Sequence, residues 1–506
     1  PPSPEVIAHY AKVMEPPTFE KFLPYLMTCN GNSASGPSRF RYALLIHADR
    51  EVQECMWLIV KICLLLEGLP VKLKNAHLYP IPKKTGLFVF DQMRPITLLE
   101  IGYKLTSGWV SYQIRQLAPT SVKALWHALQ AGGAGGCQGP LAQITAVIND
   151  ASERPEQDVW IALADVKSAF DSVSRQSKAL VSRAAGMPGK YINFITNLDI
   201  GARTSVLVPG AGTSEAFTPE CGLRQGDPLS VLGWLLFINP LIVWSAPDSI
   251  PLPPTDPYRP ARGTVQRECN GAQLRDDSAA VTKGMYKIAH ASQVSPPLFY
   301  MDDAGFVTAT RDAMVTLLER MSLYLSFHHV HMHTTKTVIA RRPPASMKPL
   351  PPAEQQQQTS IAVMTEGAWK VVAFSPLEEA LCYLGLNVTL DGNYEEQRSK
   401  LRIQMRYLLL TAERKRASLA ETRYLIETVL QPSILYRAVI MPAGDNLLRE
   451  FDRMCIKALQ RRGSFSPNSS LWMWPSGAMA GGGSYTPIWL KTLTQMLTNM
   501  RLWLTD

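Results

Sequence analysis

Two adjacent carboxylates, Asp302 and Asp303, sit in the apolar stretch Leu298 to Val307, within Phe299-Tyr300-Met301-Asp302-Asp303. Two ionised carboxylates side by side repel, and burial raises their pKa unless a cation or hydrogen-bond donors compensate. Two divalent ions are the usual compensators where a nucleotidyl group is transferred, and such a site needs a third carboxylate from another strand end. The chain supplies one. Val159-Trp160-Ile161-Ala162-Leu163-Ala164 reads as a buried strand that ends in Asp165, followed by Val166-Lys167-Ser168-Ala169-Phe170-Asp171. Three carboxylates converging on one point can hold two Mg²⁺ ions about 3.5 to 4 Å apart, which activates a hydroxyl nucleophile and stabilises a leaving pyrophosphate. Tyr-Met-Asp-Asp alone is a four-residue string, and a charged hairpin turn explains it equally well.

The elements that must position these residues follow from patterning. Residues 1 to about 70 read as helical, with Ser35-Gly36-Pro37-Ser38 as a turn before the apolar segment Tyr42 to Leu69. Strand signals begin at His77 to Pro82. Helical stretches follow near Gly102 to Gln116 and Pro140 to Ala151, separated by a loop with the glycine cluster Gly132 to Gly136. A second region runs from the strand ending at Asp165, through Tyr300 to Val307, to Leu381-Cys382-Tyr383-Leu384-Gly385-Leu386. Two segments, Ser245 to Pro297 and Arg341 to Gln358, read as proline-rich or polar surface insertions. From Glu395 the pattern turns helical, with Leu401, Met405, Leu408 and Leu409 on one face and basic residues on the other. Ser464 to Asp506 reads as a linker and a further helix.

With 506 residues the chain exceeds one simple core. Its net charge of +9 favours a polyanionic partner, and residues 395 to 463 carry fourteen Lys or Arg against eight acidic residues. A solvated helical face accounts for most such runs. Eight scattered cysteines without Cys-x-x-Cys point to reduced thiols and an intracellular compartment. The run Met56 to Leu69, interrupted by Lys61 and Glu67, is too short for a membrane span. Pro1 without a signal-peptide pattern suggests a piece of a longer protein. On a strand His329, His331 and His333 would share a face that could bind zinc, but without Cys or acidic companions satisfied or solvated histidines are favoured.

Three segments, in order, carry a resemblance. Asp165 to Asp171, Gly222-Leu223-Arg224-Gln225-Gly226-Asp227-Pro228-Leu229-Ser230 and Tyr300 to Asp303 resemble the A, B and C motifs of reverse transcriptases. Ile81-Pro82-Lys83, Arg94-Pro95-Ile96 with Lys104, and Gln130-Ala131-Gly132 look like that family's finger segments. Thr335-Lys336-Thr337 is similar to its motif D, with His333 where many relatives carry Asn, and Tyr383 to Leu386 to its primer grip. Gln431-Pro432-Ser433-Ile434-Leu435-Tyr436 and Ser35 to Ser38 look like signatures of non-LTR (LINE-type) retrotransposon enzymes.

The resemblance implies an α+β right-hand polymerase: N-terminal extension 1–70, fingers 71–156 with part of 172–220, palm 157–394 interrupted at 245–297 and 341–360, thumb 395–463, and a C-terminal linker and helix 464–506. It implies metal ligation by Asp165, Asp302, Asp303 and the Val166 carbonyl, with Mg²⁺ as the ions and Mn²⁺ as a substitute. Lys83 and Arg94 would contact the triphosphate of a dNTP. Phe170 would be a steric gate against a ribose 2′-hydroxyl, Gln225 and Gly226 would lie against the nucleotide, and Leu384 and Gly385 would grip the primer. Lys336 would act as general acid toward pyrophosphate. Partners would be template RNA and a primer or nicked target DNA, with no membrane and an endonuclease domain outside this chain. Three alternatives share the carboxylate chemistry: an RNA-dependent RNA polymerase, with Asp171 as a ribose-sensing acid; a group II intron maturase; and a domesticated, inactive nucleic-acid-binding scaffold. Phe170 and the Tyr-Met-Asp-Asp form stand against the first, and intact Asp165, Asp302, Asp303 and Gln225 against the last.

Overall fold

The structure, a computed structural model, describes residues 4–83, 89, 92–117, 130–133, 136–246, 297–347, 360–377, 379–438, 445–463 and 485–505. Most of both expected insertions, residues 247–296 and 348–359, and the linker 464–484 lie outside the described residues.

Four short helices, the longest Arg50–Leu65, open the chain and lead into a first sheet. Its strands β1 (Ala76–Pro82) and β2 (Met93–Leu99) pair antiparallel, Ile81 opposite Arg94. The helix Ile101–Leu117 follows and packs against the helix Arg50–Leu65.

The centre of the molecule is a six-stranded sheet organised on β3 (Val159–Ala164), every residue of which is buried. A continuous apolar run is what a strand covered on both faces requires. Just beyond it, β4 (Val166–Lys167) leads to the turn that carries the helix Ala169–Ser172. Further strands complete both sheets. These are β5 (Thr204–Val208) and β6 (Gly212–Thr213) in the first sheet, then β7 (Leu298–Tyr300), β8 (Asp303–Thr308), a two-residue β9 (His331–Met332) beside β4, and β10 (Val338–Arg342). β8 and β10 flank β3 antiparallel, pairing Ala164 with Ala304 and Leu163 with Val338. Alternate residues of β3 enter two separate cores. Trp160, Ala162 and Ala164 join the core with the helices Ser230–Ser245 and Arg311–Phe327, whereas Val159, Ile161 and Leu163 join the core with the C-terminal helices.

Two expectations are corrected here. Arg341 does not begin a surface insertion: it is a residue of β10, its guanidinium bound to both Asp158 carboxylate oxygens at 2.9 and 2.7 Å and lying over the Trp160 ring. After the undescribed residues the chain returns as the hairpin β11 (Ser360–Thr365) and β12 (Ala368–Ser375), which extends the central sheet and which the sequence reading missed. The stretch Leu381 to Leu386 is likewise a hairpin, β13 (Leu381–Tyr383) and β14 (Leu386–Val388), turning at Leu384 and Gly385, both at positive φ.

The C-terminal helices Glu395–Arg414, Gln431–Ala438, Asp445–Arg462 and Ile488–Thr505 pack on the second core. The outer surface of the first of them is not purely basic, since Ile403, Tyr407 and Leu410 are exposed on it. The last is anchored at its start by Asp452, whose carboxylate accepts from the Tyr485 hydroxyl at 2.8 Å and the Ile488 amide at 2.7 Å. The seven described cysteines are unpaired, and among the described residues no helix is long and apolar enough to cross a membrane.

Because Ile161 is fully buried at the centre of β3, Ile161→Ala should cost about 3 kcal/mol through lost burial and a residual cavity. Chemical denaturation followed by circular dichroism would read this as a lower unfolding midpoint.

Candidate active-site cleft

Asp165 is delivered by the end of β3, and its main chain is pinned by the loop after β9. The Asp165 carbonyl accepts from the His333 amide at 2.9 Å, and the Asp165 amide donates to the Thr337 hydroxyl at 3.3 Å. Lys336 in the same loop places its ammonium 3.4 Å from the Asp165 carboxylate. Across the sheet, β7 and β8 close on a tight turn in which Tyr300 pairs with Asp303 and Met301 has φ 55°. Ser168, three residues after Asp165, is also left-handed at φ 49°. Left-handed backbone at a residue with a side chain stores strain, and such residues cluster where a chain must present particular groups.

These turns open onto a cleft of about 920 Å³. Its walls bring together Asp165, Val166, Asp302 and Lys336 with Lys83, Arg94, Phe170, Gln225 and Gly226. Lys83, just after β1, and Arg94, on β2, are exposed cations. The Phe170 ring is half-buried and stacks on Trp234, with ring centroids 5.5 Å apart and planes at 22°. The loop Gln225-Gly226 is bound to β2, the Thr97 amide donating to the Gln225 carbonyl at 2.7 Å. Gly226 has φ 140°, and a Cβ there would lie 2.3 Å from the Thr97 carbonyl oxygen, so only glycine fits this approach. The Gln225 side-chain amide lies 3.3 Å from both Asp171 carboxylate oxygens.

Burial raises the pKa of Asp302, and the Asp165 charge raises it further, while its own backbone amide and Lys336 oppose. Asp303 is pushed up to about 6 by burial and then by the charges of Asp302 and Asp165, with Lys336 opposing. The three carboxyls therefore act on one another electrostatically. They do not, however, converge as expected: among the described residues no three His, Cys, Asp or Glu side chains form a ready-made metal-binding group, and Asp303 does not line the cleft. Asp302 lies in the turn and Asp303 opens β8, and of the two only Asp302 lines the cleft. Two divalent ions still fit the residues present. Asp165 and Asp302 offer two cleft-facing carboxylates beside Val166, and magnesium ordinarily takes one or two carboxylates and completes its shell with water and substrate phosphates.

Other expected residues lie elsewhere. Lys104 is buried away from the cleft, donating to the Ala34 carbonyl near the ring of Tyr42. Ser38 binds Glu100 through its amide at 2.8 Å and through its hydroxyl, so the turn Ser35 to Ser38 is docked on the segment that follows β2. Leu384 and Gly385 lie outside the cleft, held by the helix Gln431–Ala438: the Tyr436 hydroxyl donates to the Leu384 carbonyl at 2.7 Å and Arg437 to the Gly385 carbonyl at 3.1 Å. The three histidines do not share a strand face, because β9 is only two residues long and His329 lies in a turn at φ 58°. His328 is buried and bonded to the Ser177 hydroxyl at 2.8 Å, and His331 Nδ1 accepts from the Glu366 amide at 3.1 Å. Trp234, Thr337 and the hydrogen-bonded pair Tyr103–Asp227 support the site in roles that the sequence does not reveal. Thr337 and Asp227 sit in quoted motifs, but their hydrogen bonds carry no spacing signal.

Comparison with known proteins places this geometry. Residues 81–248 match the family described as "Reverse transcriptase (RNA-dependent DNA polymerase)". The Retrovirus-related Pol polyprotein from type-2 retrotransposable element R2DM of Drosophila melanogaster is 28% identical over 196 residues, which make up 38% of this chain and 18% of that protein. An apo telomerase from Candida tropicalis, truncated from its C-terminal domain, aligns with a TM-score of 0.33 and 14% identity over 67% of this chain and 63% of that one.

Since the folded chain retains a proton on Asp303 that the unfolded carboxyl releases near its ordinary value, this group costs the metal-free chain stability as pH rises toward about 6. In chelator, Asp303→Asn should therefore raise the thermal midpoint at pH 7.5, and the gain should shrink as the pH is lowered toward 4. Differential scanning fluorimetry across that range checks both the sign and the window.

Proposed function

We propose that this chain, which carries a reverse transcriptase domain related to those of non-LTR retrotransposons, is an RNA-directed DNA polymerase that extends a 3′-hydroxyl primer on an RNA template. The observation that carries this reading is the single cleft shared by Asp165, Asp302, Phe170, Gln225, Gly226 and the cations Lys83, Arg94 and Lys336. The regions act as N-terminal extension 1–70, fingers 71–156, palm 157–394 and thumb 395–463.

Asp165 and Asp302, with the Val166 carbonyl, would hold two Mg²⁺ ions, and Asp303 would support them from behind the turn. Bound there, such ions lower the pKa of the primer hydroxyl and neutralise charge on the phosphates. Lys83 and Arg94, which form no ion pair within 4 Å among the described residues, are free to meet the triphosphate of the incoming dNTP, with Lys83 also acting electrostatically on Asp171. Lys336 is drawn toward the metal site by its ion pair with Asp165 and is the donor for the leaving pyrophosphate. Phe170 cannot readily swing aside because its ring is backed by Trp234, so a ribose 2′-hydroxyl meets a fixed obstacle. Leu384 and Gly385 would steady the primer strand on a hairpin braced by Tyr436 and Arg437. The template RNA and a nicked target DNA are the partners this reading names, and the nucleus is its site of action.

Primer extension on poly(rA)/oligo(dT) with Mg²⁺, supplied with dNTPs or rNTPs, tests the reading. The unsubstituted chain should incorporate dNTPs, and Asp302→Ala should lose at least about 10³-fold in rate while still binding template–primer. Phe170→Val should raise the use of rNTPs relative to dNTPs by about tenfold or more, the discrimination of one well-placed contact. No incorporation by homogeneous protein would favour the inactive scaffold, and efficient rNTP use by the unsubstituted chain would remove the steric gate.

A further inference from the structure

The turn that presents Asp302 holds Met301 in left-handed backbone, and a buried side chain from a distant segment grips that residue. Gln130 is 2% exposed. Its Oε1 accepts from the Met301 amide at 2.9 Å, and its Nε2 donates to the Met301 carbonyl at 3.3 Å. One carboxamide thus satisfies both main-chain groups of the strained residue, as a neighbouring strand would. The same Oε1 accepts from the Gly132 amide at 3.0 Å, which fixes the carboxamide plane, and the Gln130 main chain bridges to Phe299 in parallel fashion. Gly132 completes the contact: a Cβ there would lie 3.0 Å from the Met301 nitrogen and from the Met301 Cγ.

We propose that Gln130 is a positioning residue for Asp302, a side-chain clamp that holds the Met301 turn in the conformation that aims the neighbouring carboxylate into the cleft. The inference rests on the polymerase reading for its kinetic consequence, but not for its geometry. The part-buried amide and carbonyl of this left-handed residue would each lose their partner if Gln130 were replaced by an apolar side chain of similar shape, and the turn would relax toward unstrained backbone. Asp302 would then leave the position from which it shares ions with Asp165. Gln130 reaches neither the cleft wall nor Asp302 itself, so its effect is on placement and not on nucleotide binding.

The test compares the full chain with Gln130→Met and Gln130→Glu by hydrogen exchange and by single-nucleotide incorporation. In Gln130→Met the Met301 amide should exchange at least about tenfold faster, with Ile161 and Phe306 in β3 and β8 unchanged, because one local hydrogen bond is lost. The maximal incorporation rate should fall about 10- to 100-fold with the KM for dNTP within about threefold, the signature of a misplaced reacting group. Gln130→Glu keeps the acceptor for the Met301 amide, so it should retain most of that amide's protection. Unchanged Met301 exchange in Gln130→Met overturns the clamp, as does an equal acceleration through β3 and β8 or a loss that lies in KM alone. The exchange measurement needs no catalysis, so a chain inactive in every form would refute the polymerase reading and still decide the clamp.

Discussion

The desolvation of Asp302 and Asp303 beside the Asp165 charge, where a fully buried strand meets a tight turn, is the constraint around which this protein is arranged. Burial and like charge both penalise the ionised forms of Asp302 and Asp303. Lys336 offers partial relief at 3.4 Å, yet it is largely exposed and shares itself with whatever enters the cleft. A bound cation would offset that penalty, and magnesium, which ordinarily takes one or two carboxylates together with water and phosphate oxygens, suits the cleft-facing pair Asp165 and Asp302.

The surrounding structure serves to hold those carboxylates where they are. The loop after β9 fixes Asp165 through its own backbone, and Gln130 reaches from a separate segment to fix the turn beside Asp302. The Gln225-Gly226 loop is stitched to β2 by an approach too close for any side chain, which joins the sheet bearing Lys83 and Arg94 to the sheet bearing the acids. On the other side, Tyr436 and Arg437 bind the Leu384-Gly385 turn, so a helix of the C-terminal bundle is mechanically coupled to the hairpin that would steady a primer. Alternate side chains of β3 divide between two cores, and this lets one strand carry both couplings to the same point.

What could be read from sequence follows from how local each signal is. The strand Val159–Ala164 was legible because six consecutive buried residues leave no other reading, and Phe170, Gln225 and Asp302 were legible through motifs that keep their order along the chain. Asp303, expected beside Asp302 as a metal ligand, opens β8 and does not line the cleft, an orientation that adjacency in sequence does not encode. The histidine run could share a face only on a strand, and His329 at positive φ ends the strand before the spacing of two can act, which leaves satisfied histidines such as His328 and His331, the favoured reading. Arg341 was assigned to an insertion since the prolines that follow it mark a breakpoint only to within a few residues. The partnerships of Gln130 with Met301, of Phe170 with Trp234 and of Tyr436 with Leu384 join residues far apart in the chain or depend on ring orientation, and no local pattern encodes them. The same holds for β11 and β12, which follow directly on residues whose composition suggests an irregular segment.

The central claim is that Asp165 and Asp302 together hold the ions on which nucleotide transfer depends. Anomalous scattering from Mn²⁺ in crystals of the chain with RNA template, a 3′-deoxy DNA primer and dNTP tests it most directly. Two peaks about 3.5 to 4 Å apart, each bonded to oxygens of Asp165 or Asp302 and to nucleotide phosphate, are the predicted result. A bound nucleotide with no manganese at either carboxylate, or with the metal held by other side chains, would contradict it.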